Sequence, residues 1–423
     1  MVSRPCHGVG RPEGAGRYRI PRSRSHRHAT QVAAFVFSAA LCALALTGCG
    51  DRSGTPDPKR AAPKSAAPPL TAWPMTRGGP ALSGSVAAKI PVGPKIVWTF
   101  SCEGPVNAEV AIDHGRVFVG TEKGRLHCLS ADTGKEHWHF DTKDAITGAP
   151  AVSGARVYVP SNDGRLYALN TETGAEVWQF TTEEKISSGV TVIKNPGADE
   201  EWVLVNGYDG TTRVLHAADG KVVWTYKTND YINGAPAIVD GRYVVFGGCD
   251  AKLHVVNLKD GSLVHTIEAE AYIPASIGTY GTMAFCGNYA NQTVAFDVPA
   301  GKIAWTYQDR AMPFFSSPAI NERLVLIGSR DKYLHAIHRA TGQGAWKFKT
   351  GGRIEGSPLV FDNGVVFGSA DGRLYAASLE AGAELWRLEL GEALVASPSF
   401  GENQLVVGGE KGTVFAIRGR LAN

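Results

Sequence analysis

The sequence predicts an all-β fold: an eight-bladed β-propeller built from four-stranded antiparallel blades. Three observations carry this expectation. A tryptophan-bearing strand recurs at Trp98, Trp138, Trp178, Trp224, Trp305, Trp346 and Trp386, with His265 in the equivalent place, at steps of 40, 40, 46, 41, 40, 41 and 40 residues. A period near 40 with four strands per unit is the sequence sign of a propeller. Glycine is abundant, 50 of 423 residues, and it falls between short alternating runs, where tight turns need it. Finally, the last unit supplies three strands and stops, whereas the strand around Trp98 precedes the first unit with no strands of its own to join. The N-terminal Trp98 strand is therefore expected to close the ring as the outer strand of the last blade, which removes free sheet edges.

The unit from Ala151 to Phe180 shows each element in order. A short run of small residues comes first, introduced by a proline that recurs as Pro150, Pro236, Pro318, Pro358 and Pro398. Strands nearest a propeller axis are crowded, so small side chains belong there. A valine-rich strand (Val157, Val159) leads to the Asn162-Asp163-Gly164 turn, then a leucine-rich strand (Leu166, Leu169), then a turn at Gly174, then the Trp178 strand. The turn glycine repeats as Gly134, Gly220, Gly261, Gly301, Gly342 and Gly382. Unit three is longer by about six residues at Lys194 to Glu201, which reads as a surface loop between its first two strands.

Ahead of the ring, residues 1–48 are basic and then apolar, ending in Leu46-Thr47-Gly48 before Cys49. This looks like a bacterial lipoprotein signal peptide, with Cys49 as the lipid-bearing first residue of the mature chain. Residues 49–70, rich in Pro, Ala, Ser and Lys, hold too little apolar surface to fold and read as a flexible tether. Residues 71–423 form the single propeller domain. Net charge is +3 overall; the first 48 residues hold seven Arg and one Glu, a balance of +6, so the remainder carries −3. That balance offers no basic stripe for nucleic acid.

The segments Leu166 to Trp178 and Leu374 to Trp386 resemble the PQQ-like propeller repeat, and the units cover residues 96–420. With eight blades and the lipoprotein signal, the whole is similar to the BamB-type lipoproteins of the outer-membrane β-barrel assembly machine. The resemblance implies a non-catalytic scaffold in the bacterial envelope, anchored at the outer membrane and facing the periplasm. Its partners would be a β-barrel insertase and unfolded outer-membrane proteins. The same repeat occurs in quinoprotein dehydrogenases, which use pyrroloquinoline quinone with calcium; that is the enzyme alternative, and a sensor of an envelope ligand or polymer is another. Those dehydrogenases typically carry an adjacent cysteine pair and long loops at the cofactor face, and neither is present in this sequence. The expectation is no cofactor and no catalytic residue.

Register among the repeats singles out further residues. An apolar slot precedes each inner strand at Ile146, Ile186, Ile232, Ile273, Phe314, Ile354 and Leu394. The positions flanking it vary, bringing Tyr231, Tyr272 and Phe315 onto neighbouring connections, with Arg353 and Glu355 beside them. Aromatic and arginine side chains at one mouth of the ring would suit a protein partner; alternatively, the rings simply fill the funnel. Cys249 and Cys286, near the ends of the second strands of blades four and five, are a candidate disulfide, with two buried thiols as the other reading. His137 and His139 share a strand but lack a third ligand nearby in sequence, so no metal site is expected.

Overall fold

Alternating apolar residues and glycine turns fold each repeat into one antiparallel sheet whose two faces are covered only by neighbouring sheets. The computed structural model describes residues 72–309 and 312–420, so the expected signal peptide, Cys49 and the tether lie outside the described residues. Eight four-stranded sheets form the ring. Blade one starts at Ala111–Asp113, and blades two to seven follow in sequence order to Glu384–Glu389. The eighth is composite: Ser399–Gly401, Gln404–Gly408 and Thr413–Arg420 are completed by Val92–Ser101, which pairs antiparallel with Thr413–Arg420. Closure through the Trp98 strand is thus as the sequence predicts. The prolines lie just ahead of the inner strands rather than within them, as at Pro150 before Ala151–Ser153, because proline has no N–H to give a ladder. The extra residues of unit three connect Thr191–Lys194 to Glu201–Asn206, as expected.

One contact joins each blade to the next. In every outer strand the register shifts just before the tryptophan or, in blade four, before His265, as between Val214 and Leu215, which face Trp224 and Val222. Such a bulge re-aims the side chain that follows. Each indole but the last then crosses to the neighbouring blade and donates its N–H to a carbonyl beside the turn between the third and fourth strands. Trp98 bonds Ala131, Trp138 bonds Thr171, Trp178 bonds Ala217, and Trp224 bonds Leu258, at 2.9 to 3.0 Å. The rings lie on the turn glycines; a Cβ on Gly174 would sit 2.6 Å from the Trp138 ring, and Gly174 has φ +70°. In the odd seam His265 takes over, its Nε2 at 2.7 Å from the Val298 carbonyl, and a Cβ on Gly301 would stand 3.4 Å away. At the last seam Trp386 bonds the Pro91 carbonyl.

Residues 72–91, whose sequence carries no repeat, form a strap across the axis. Trp73 pairs with Ile112, and the amides of Val152, Ile238, Thr279, Ile320 and Val360 donate to the carbonyls of Pro74, Pro80, Ala81, Ser83 and Gly84. The strap therefore ties the inner strands of six blades, and Thr76 packs on Gly189 of blade three. Its centre is polar. Trp73 Nε1 and the Arg77 amide both donate to Glu109 Oε1, at 2.5 and 3.2 Å, and Arg77 Nη2 donates to the Pro358 carbonyl. Burial pushes the Glu109 carboxyl up, with the Arg77 charge opposing, and pushes the Arg77 guanidinium down. Gly84 makes room: a Cβ there would lie 1.8 Å from Arg77 Nη2.

The expected Cys249–Cys286 staple is not formed, because Cys286 is a free, buried thiol. The register explains this. Cys286 pairs with Val294 inside its sheet, the place held by Phe246 in blade four, whereas Cys249 lies beyond that strand in the turn, where blade five has Tyr289. The two positions differ by three residues, roughly 10 Å along a strand.

Three substitutions test these contacts. Gly174→Ala, which meets both a positive φ and the Trp138 ring, should cost about 2 to 4 kcal/mol in urea unfolding. Gly301→Ala, against the smaller His265, should cost only about 1 kcal/mol. Glu109→Ala, which leaves Arg77 buried without its counter-charge, should cost about 3 to 5 kcal/mol, and adding Arg77→Leu should restore more than half of that.

Candidate functional site

Eight connections run from an outer strand inward to the next inner strand, and among the described residues seven of them are locked by a backbone hydrogen bond to the turn of the blade they enter. In blade three the amide of Tyr208 donates to the Lys185 carbonyl at 2.9 Å; in blade four Cys249 donates to Tyr231 at 2.9 Å; in blade five Tyr289 donates to Tyr272 at 3.0 Å. Blades seven, eight, one and two repeat the clamp with Ala370 to Arg353, Glu410 to Ala393, Glu122 to Pro105 and Asn162 to Ala145. The apolar slots are buried and press on strand-end glycines, Ile146 on Gly120 and Ile354 on Gly328 among them. Val106 completes the set at the eighth seam. With clamp and slot fixing the backbone, the turn residue and the slot's two neighbours are free to differ at the mouth.

Those variable positions sort into sectors. Blades three to six form an aromatic arc. Tyr208 and Tyr231 stack at 4.3 Å with their planes 9° apart, and Lys185 Nζ lies 4.3 Å from the Tyr208 ring centre. Tyr272 meets Tyr289 edge-on at 6.1 Å, Tyr289 meets Phe315 at 5.1 Å, and the Arg330 guanidinium covers Phe315 at 4.0 Å. Blades six and seven are cationic: Arg330 and Arg353 converge on Glu355. Blades eight and one present Glu410 and Glu122, the latter accepting from Asn107 Nδ2 at 2.7 Å. Burial is the main cause holding the Tyr208 and Tyr289 hydroxyls above the ordinary tyrosine range, with neighbouring Tyr231 adding to it at Tyr208. Thr228 anchors the start of the Tyr231 connection through the Gly210 and Asp230 carbonyls, and Asp230 accepts the Tyr231 amide at 2.8 Å.

The structure thus brings Tyr231, Tyr272, Phe315, Arg353 and Glu355 to one mouth and adds Tyr208, Tyr289, Lys185 and Arg330. Sequence reading passed over Tyr208 because Tyr208-Asp209-Gly210 is the recurrent turn. The signal was there, since the turn's first position holds Glu, Asn, Tyr, Cys, Tyr, Arg, Ala and Glu around the ring.

Two aspartate–histidine pairs elsewhere have the look of chemistry. His254 Nε2 lies 2.7 Å from Asp250, and His335 Nε2 lies 3.0 Å from Asp331, with tyrosine hydroxyls at both Nδ1 atoms. Both belong to a turn brace in which Asp163, Asp209 and Asp371 likewise bond Tyr167, Arg213 and Tyr375 four residues on. Asp309, Asp331 and His335 are the one cluster of possible metal ligands among the described residues. Its carboxylates stand at opposite ring nitrogens, and Asp309 Oδ2 is 2.7 Å from Lys347 Nζ. Each carboxylate is engaged by a donor of the protein itself, Asp331 by the Tyr333 amide at 2.9 Å and Asp309 by Lys347.

The family described as outer membrane protein assembly factor BamB matches residues 83–188, 162–291 and 290–421. BamB from Moraxella catarrhalis has a TM-score of 0.64 at 20% identity, covering 77% of this chain and 99% of that one. The quinohemoprotein alcohol dehydrogenase from Comamonas testosteroni has a TM-score of 0.69 at 16% identity, covering 84% and 82%. The computationally designed Ika8 protein has a TM-score of 0.64 at 17% identity, covering 78% and 99%. At these identities the likeness is one of fold. A search of the curated proteins finds no match.

Whether the mouth rings are filler or contact surface is measurable. Phe315, wedged between Arg330 and Tyr289, should cost about 1 to 2 kcal/mol on truncation to alanine, whereas Tyr231, 43% exposed, should cost less than about 1 kcal/mol. Urea midpoints of the two variants check this.

Proposed function

The chain belongs to the family described as outer membrane protein assembly factor BamB, and from that premise we propose that it is a non-catalytic, membrane-tethered scaffold for protein partners in the bacterial envelope. In this reading residues 1–48 are a signal peptide, Cys49 carries lipid at the outer membrane, and residues 49–70 let the propeller of residues 71–423 stand off into the periplasm. The partners are components of a β-barrel assembly machine and its unfolded clients.

The observation that carries the reading is the aromatic arc. It occupies the three positions per blade that the fold leaves free, and buried or half-buried aromatics beside arginine are what protein interfaces concentrate. The quinoprotein alternative asks for a cage of oxygen ligands near the axis. Here Glu355 is taken by two arginines, Glu122 by Asn107, and Glu392 by the Lys411 amide, which supports the scaffold reading over a calcium-held quinone.

Co-purification from detergent-solubilised membranes tests it. The wild-type protein should bring down barrel-assembly components, and the Tyr231→Ser, Tyr272→Ser, Phe315→Ser triple variant should lose at least about tenfold of that capture while remaining folded. Titration with pyrroloquinoline quinone and calcium should give no bound-cofactor spectrum and no dye-linked alcohol oxidation. A cofactor spectrum, or full capture by the folded triple variant, overturns the proposal.

A further inference from the structure

The mouth carries a charge pattern beside its rings that discriminates among polypeptides. Arg330 reaches Glu355 Oε1 with Nε at 2.8 Å and Nη2 at 2.6 Å, and Arg353 Nε stands 3.2 Å from the same oxygen. One carboxylate serves two guanidiniums, so neither arginine has a counter-ion to itself. Each guanidinium has five N–H donors in a rigid fork that fits a carboxylate. Arg330 is held in place by Phe315, over whose face it lies, and the Arg353 backbone is clamped by Ala370 while its side chain is 48% exposed. A preorganised, half-exposed arginine beside a second one is a receptor for an anionic group.

The anchor for the rest of such a ligand is adjacent. From Tyr272 the path runs to Tyr289, Phe315 and Arg330 in steps of 6.1, 5.1 and 4.0 Å. That path is at most roughly 15 Å, the reach of about four or five residues of extended chain. On the far side of the cationic corner the turn positions are acidic, Glu410 and Glu122, which disfavours a ligand that continues its negative charge past Arg353.

We propose that the mouth selects extended polypeptide segments in which an aromatic side chain, seated on Tyr272 and Tyr289, is followed about four residues away by an acidic side chain seated on Arg353 and Arg330. The inference rests on the reading of the mouth as a polypeptide site and adds its selectivity. Charge complementarity of this kind sets partner choice more than raw affinity.

The test is fluorescence anisotropy at low salt with the full mature chain and two labelled ten-residue peptides. One carries two tyrosines and, four residues on, two glutamates; its twin carries lysines in place of the glutamates. The acidic peptide should bind about tenfold tighter than its twin, the preference should vanish in Arg353→Ala, and it should invert in Arg353→Glu. Arg353 is half-exposed and outside the seams, so thermal unfolding of both variants should match the wild type. Equal binding of the two peptides, lost in the Tyr231, Tyr272, Phe315 triple variant, overturns the charge selectivity while leaving the polypeptide site standing. Absence of binding by either peptide overturns both.

Discussion

The ring depends on a single recurrent constraint, the fit of an indole from one blade onto the turn glycine and turn carbonyl of the next. A blade cannot bury both faces alone, and sheet-to-sheet contact by itself is non-directional. The bulge before Trp138 or Trp224 aims the ring, the N–H to a defined carbonyl sets its depth, and the positive-φ glycine beneath it excludes any other residue. Register is thereby transmitted around the ring; Trp98 meets the same requirement at the closure, while Trp386 donates instead to the Pro91 carbonyl just ahead of the Trp98 strand. This is also why the fold was legible: one contact, made by six tryptophans on six turn glycines and by His265 on a seventh, imposes the pair at a nearly constant interval, and Thr413–Arg420 was left with one possible outer partner.

The strap is the counter-example. It crosses blades whose inner edges are alike, yet it meets them at uneven intervals, from Pro74 at blade two to Pro80 at blade four and Ala81 at blade five, so its sequence has no period to betray it. Only local anomalies mark its course: Glu109 stands where the other inner connections have Ala, Gly or Ser, and Gly84 faces Arg77. A carboxylate among small residues at a crowded axis needs a donor brought from elsewhere, and Trp73 and the Arg77 amide are those donors. The arrangement is not fully satisfied, since Nε and Nη1 of Arg77 and the Thr76 hydroxyl lack hydrogen-bond partners. The axis is therefore tied by many weak backbone contacts around a costly polar centre, rather than by a dry core.

The site was half legible for a related reason. Connections flanking a conserved-in-repeat apolar slot could be aligned within the chain, which found Tyr231, Tyr272 and Phe315. Tyr208 and Tyr289 sit in turns that also serve as framework, and a turn that looks structural by its Asp-Gly hides a variable residue beside it. The misplaced cysteines show the complementary error. Cys249 and Cys286 follow similar apolar runs, but blade five's strand reaches its cysteine three residues sooner, and a slip of that size moves a side chain from turn to sheet interior.

Repetition also changes how polar constellations should be weighed. His335 between Asp331 and Asp309, with a tyrosine hydroxyl on its ring, has the parts of an acid–base site. Yet the same turn aspartate braces a tyrosine in blades two and seven, an arginine in blade three and another histidine in blade four. What the five share is a carboxylate that caps its own turn through one oxygen and reaches the middle of the third strand with the other; the partner need only donate. The brace therefore accounts for the histidine's position at His335 as it does for the tyrosines and the arginine. The mouth residues obey the opposite logic: their backbone is held by a clamp that recurs, among the described residues, in seven of the eight connections, while their side chains differ from blade to blade, so identity there is set by something other than the ring's own packing.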